Sequence, residues 1–115
     1  MAEPRIYELA KELLQRSRDR KVPWQEGQRA VTSSRDYYRV VFPEGALRVS
    51  GLRGTTGENA EYKLELISDT GRIIDSLAPQ TQELMYETLS EIFDLAHTFI
   101  LDRGINRALD FLKSR

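Results

Sequence analysis

Between Glu61 and Leu66 the chain alternates charged and apolar residues, setting Tyr62, Leu64 and Leu66 against Glu61, Lys63 and Glu65. A period of two fits a strand with one face on a core and the other in water. On either side the period changes. Ile6, Leu9, Ala10, Leu13 and Leu14 recur at helical spacing near the start, and Met85, Leu89, Ile92, Phe93, Ala96, Phe99 and Ile100 form a longer helical stripe near the end. A chain of 115 residues with this order is held to an α+β plan, with helices covering one face of an antiparallel sheet.

Proline and glycine place the boundaries. Pro4 suits a first helical turn, where its missing N–H costs nothing, and Pro23 pushes Val22 away from helical dihedrals. The first helix is expected over about residues 4–20, with Glu3 and Glu8 near its start and Arg16, Arg18, Arg20 and Lys21 near its end, as the macrodipole favours. Trp24 reads as an anchor for the helix exit, because it carries the largest apolar side chain available. Strands are expected over about 36–42 and 46–50, joined at Pro43-Glu44-Gly45, and over about 61–67 and 72–77, joined at Asp69-Thr70-Gly71. Segments 25–34 and 51–59 read as loops.

A long helix is expected over about 79–103, stopped by Gly104, and a short final one over about 107–114 behind an Asn106 cap. The resulting architecture is a single domain, 1–115: a four-stranded antiparallel meander with the first and long helices, and the short final helix, packed on one face. Its expected core includes Leu9, Leu13, Val40, Val49, Leu64, Leu66, Leu89, Ile92 and Ala96.

The groups that usually do chemistry are scarce. The chain has no cysteine and one histidine, His97. Without cysteine there is no disulfide or thiolate metal site, as suits a reducing compartment. The start lacks the apolar core of a secretory signal, and no run approaches the roughly 20 apolar residues of a membrane span, so a cytoplasmic location is expected. His97 lies on the shoulder of the long apolar stripe, with neither Asp94 nor Asp102 at the fourth residue from it. A general base needs a carboxylate or nucleophile beside it, and a lone histidine makes a poor metal site. The pairs Glu87 with Glu91 and Asp69 with Asp75 are explained by a solvated helix face and by a turn. No Gly-x-Ser-x-Gly elbow occurs, and the glycines at 51, 54 and 57 join two strands, whereas a phosphate loop opens a helix. An enzyme is therefore not expected, nor any cofactor or metal.

The net charge is −1, but residues 1–53 carry 11 Lys and Arg against 7 Asp and Glu, while residues 54–115 carry 6 against 11. Arg35, Tyr37, Arg39, Arg48 and Arg53 can gather on the wet sheet face as a basic patch with one aromatic ring. Glu61 and Glu65 share that face and dilute it, so a weak single-stranded nucleic-acid binder is the second reading. The first is a small non-catalytic protein-interaction module of adaptor, chaperone-like or inhibitor type, acting as a homodimer. The apolar arc of the long helix is wider than one sheet face needs, which makes Tyr86, His97 and Leu101 interface candidates. A small-ligand or enzymatic pocket near His97 and Tyr86 is third.

Overall fold

The computed structural model describes residues 3–27, 35–52 and 61–115. Helix α1 (Arg5–Arg18) leads into strands β1 (Gln25–Glu26), β2 (Arg35–Phe42), β3 (Gly45–Leu52), β4 (Tyr62–Ser68) and β5 (Ile73–Leu77), and α2 (Tyr86–Lys113) closes the chain. The strands form one antiparallel sheet in sequence order, so the α+β meander is present. Both helices cover the same face: Ile6, Ala10 and Leu13 of α1 and Leu89, Ile92 and Ala96 of α2 share one core with Tyr38, Leu47, Val49 and Leu64 of the sheet.

Two expectations are corrected. The sheet has five strands, not four, because Gln25 and Glu26 pair with Arg39 and Tyr38. Two exposed polar residues carry no apolar period, so this strand leaves no trace in hydrophobic patterning. There is also no separate final helix. α2 runs without a break through Gly104 and Asn106 to Lys113. A glycine costs a helix about 1 kcal/mol relative to alanine, which the helix formers around it can absorb.

The start of α2 shifts the other way, from 79 to Tyr86. The intervening residues make tighter turns, with the Glu83 and Tyr86 N–H groups donating to Gln80 O (2.9 Å) and Glu83 O (3.1 Å). Glu83 Oε1 accepts the Gln80 N–H at 3.1 Å.

Of the expected core, Leu13, Val49, Leu64, Leu89, Ile92 and Ala96 are buried, and Leu9, Val40 and Leu66 pack at its margin. The strand parity is as expected, with Tyr62, Leu64 and Leu66 toward the helices. Gly45 opens β3 where space is tightest, since a Cβ there would stand 2.1 Å from Ile67 O. Trp24 is 1% exposed, and its indole N–H donates to Ser17 Oγ at 3.3 Å, locking the exit of α1. That exit is a Schellman turn: Arg20 N–H donates to Ser17 O and Lys21 N–H to Arg16 O, with Arg20 at φ 58°.

Two ion pairs tie the helices. Arg18 donates twice to Glu91, at 2.6 and 2.8 Å, and Arg20 donates to Asp102 at 3.1 Å. The hydrogen bond from Arg18 holds the Glu91 carboxyl below its ordinary range. A depressed carboxyl contributes stability above its unfolded pKa and loses it as the pH falls through the folded one. Glu91→Gln is therefore expected to lower stability at neutral and alkaline pH and to converge with the wild type at low pH, which flattens the acid limb of a denaturation-against-pH curve; an unchanged acid limb would refute the tie. At Arg20 two terms compete. The left-handed backbone costs about 1–2 kcal/mol for a side-chain-bearing residue, and the exposed pair with Asp102 contributes about 0–1 kcal/mol. Arg20→Gly is expected to raise stability by up to about 1 kcal/mol in urea denaturation.

Candidate functional site

Register decides what meets on the face turned away from the helices. β3 is the middle strand of the sheet, and its outward residues head three rungs. Ser50 stands between Tyr37 and Lys63, Arg48 between Arg39 and Glu65, and Ala46 between Val41 and Ile67. β5 extends the second rung with Ser76 and the third with Ile73. The outer face is thus graded from polar and basic at one end to apolar at the other.

The basic end forms a cleft of about 720 Å³, floored by Arg35, Tyr37, Arg48, Ser50, Lys63 and Glu65 and walled by residues 78–82 between β5 and α2. Of the five residues singled out for a basic patch, Arg35, Tyr37 and Arg48 are brought together here. Arg39 is exposed on the rung beside them, and Arg53 lies outside the described residues, as do 28–34 and 53–59 of the two loops.

The two arginines of the cleft are engaged by carboxylates. Arg48 donates from Nε (2.9 Å) and Nη2 (2.8 Å) to Glu65 Oε1, and its guanidinium lies 5.2 Å from the Tyr37 ring centroid. Arg35 pairs with Glu61 at 3.3 Å. Lys63 Nζ stands 3.8 Å from Glu65 Oε2, beyond hydrogen-bond distance. Glu65, expected in water, is only 3% exposed. The parity expected for it is right, but this part of the outer face is not wet. Removing Arg48 would leave a buried carboxylate with one distant partner, so Arg48→Ala is a stability variant as much as a binding one.

Ser50, on the floor of the cleft, was not foreseen as a site residue. It is 1% exposed, and its hydroxyl has no hydrogen-bond partner among the described residues. The only signal for it in the sequence is its place two residues after Arg48, which becomes informative once the register is known.

The second set of candidates separates along α2. Tyr86 packs edge-on against Tyr62 (5.4 Å between ring centroids), which also meets Phe93, and burial raises the Tyr86 phenol's pKa. His97 Nδ1 shares a 2.7 Å hydrogen bond with the buried Tyr38 hydroxyl. Burial pushes the nearby Asp94 carboxyl up, with His97 pulling it partly back and Glu91 adding to the rise. These contacts seat Tyr86 against the sheet, while His97 stays exposed with its Nδ1 tied to Tyr38. Leu101 instead begins an exposed series with Ile105, Leu109, Phe111 and Leu112, and every residue from Gly104 onward is exposed.

Among the described residues no three His, Asp or Glu side chains converge as a metal set, and no helix is long and apolar enough to cross a membrane. Comparison of the chain with models of protein families, with curated proteins and with solved structures finds no match.

A buried hydroxyl without a partner forfeits its hydration for nothing, at about 1–3 kcal/mol. Ser50→Ala is expected to stabilise the free protein by about 1 kcal/mol in urea or thermal denaturation. A loss of stability on that substitution would show that the hydroxyl is bonded.

Proposed function

We propose that the protein is a small non-catalytic protein-interaction module that acts as a homodimer, with the C-terminal arm of α2 as its docking element. One observation carries this reading: the helix changes its apolar face. At about 100° per residue, Leu89, Ile92, Ala96, Phe99 and Ile100 lie toward the sheet and α1, whereas Leu101, Ile105, Ala108 and Leu112 lie on the opposite side. The wide arc read from the sequence is therefore two successive stripes, and the molecule's own core serves only the first.

The spacing of the second stripe, four, three and four residues, is that of a paired-helix seam. A second copy is the occupant that this seam fits. In an antiparallel two-fold pairing Leu101 meets Leu112 and Ile105 meets Ala108, the small residue letting the backbones approach. Of the seam residues, Leu101, Ile105 and Leu112 are 51%, 49% and 65% exposed. Burying the open half of these six large side chains, three per copy, gives about 1 kcal/mol each or somewhat more. Association costs about 4–15 kcal/mol. The two totals are similar in size, which favours a weak, concentration-dependent dimer. The engagement of Arg35 and Arg48 by carboxylates supports this reading over a nucleic-acid role.

In analytical ultracentrifugation the mass should rise from 13.3 kDa toward twice that value with concentration. The combined substitutions Ile105→Asp and Leu112→Lys should hold it at the monomer value with an unchanged melting profile, because both residues lie outside the core. A wild-type protein that stays monomeric at every concentration, or a double variant that dimerises equally well, overturns the proposal.

A further inference from the structure

We infer that the cleft on the outer face of the sheet is a binding site for a small organic oxyanion, recognised by the Ser50 hydroxyl and the Lys63 ammonium. Three observations converge. The Ser50 side chain lines the cleft, is 1% exposed and has no partner among the described residues. Lys63 is its direct cross-strand neighbour and makes no hydrogen bond among the described residues, its nearest carboxylate oxygen being 3.8 Å away. The space, about 720 Å³, is that of a site for an organic molecule and far exceeds a bare ion.

Charge selects the ligand. Among the described residues lining the cleft, Arg35, Arg48 and Lys63 face Glu61 and Glu65, an excess of one positive charge. A single negative head group neutralises the site; a polyanion would bring further charge against Glu61 and Glu65. Glu65 is satisfied by Arg48, and that pair holds the floor in place while Ser50 and Lys63 meet the ligand. An oxyanion between them would accept the hydroxyl proton of Ser50 in one hydrogen bond and an N–H of Lys63 in another, both charge-assisted. Tyr37 beside them offers ring surface to an apolar or planar body. The Lys63 side chain, 41% exposed, can rearrange around a ligand in picoseconds to nanoseconds, as exposed side chains do.

A shape-matched set of probes isolates the charge: benzoate, phenyl phosphate, benzamide and benzylamine, each titrated into the ¹⁵N-labelled protein at neutral pH. Saturable shifts at the Ser50 and Lys63 amides are expected with benzoate or phenyl phosphate, and the stronger of the two tells a carboxylate head from a phosphate ester. Benzamide should bind about tenfold more weakly and benzylamine not at all. Lys63→Gln should cost about tenfold in affinity and Ser50→Ala several-fold, with both variants folded as judged by their dispersed spectra. The inference is overturned if neither anion saturates, if benzamide or benzylamine binds as well as benzoate, or if Ser50→Ala binds as tightly as wild type. It is overturned equally if an oligothymidine strand binds the same residues more tightly than both anions and is released by salt, which would assign the cleft to nucleic acid.

Discussion

Burial of Val49 and Leu64 against α2 is the constraint on which the rest of the structure depends. Both residues are fully buried and directly opposite one another on β3 and β4. Because side chains alternate across a strand, a slip of one residue would turn either strand's apolar set to solvent. Once this register is locked, the outer face has no freedom left. Arg48 must stand opposite Glu65, and Ser50 opposite Tyr37 and Lys63. The core that holds the sheet to its helices thereby builds the cleft on the far side.

This explains which features were legible in the sequence. The parity of Tyr62, Leu64 and Leu66 is a local property and could be read directly. The burial of Glu65 is not local. It depends on which arginine lies across the strand and on how residues 78–82 wall the cleft, and neither follows from alternation. Arg35, Tyr37 and Arg48 could be picked out by type and parity. Ser50 could not, because a serine on a polar face is unremarkable until its hydroxyl is found buried and unpaired. The two boundary errors also have local causes. A two-residue strand is too short for a period, and Gly104 weakens a helix without ending it when the surrounding residues favour helix.

The two proposed surfaces are physically independent. The arm belongs to the helical layer and carries its apolar stripe on the side away from the sheet and α1. The cleft opens on the opposite face of the sheet. Pairing through the arm need not close the cleft, and filling the cleft need not order the arm. An isolated helix of about ten residues is marginal in water. The arm's helical conformation is thus the part of the fold with least support from its own chain, and a partner along its apolar side supplies what the sheet gives the first half of α2.

Most of the chain agrees with itself across levels: apolar period, strand parity, turn residues and helix tie-points all favour the same fold. The outer face does not. A sheet covered on one side needs no buried carboxylate on the other, and alanine at position 50 would remove an unpaired hydroxyl at no cost in packing. Replacing a buried ion pair by apolar residues of similar volume is often neutral or stabilising, by up to about 4 kcal/mol. Arg48, Glu65 and Ser50 are adjacent on two strands, so these departures from the most stable sequence fall at one place rather than at random. Folding alone gives no reason for that concentration. A ligand whose binding requires a preorganised polar floor does, because the desolvation cost is then met in the free protein and not again at the moment of binding.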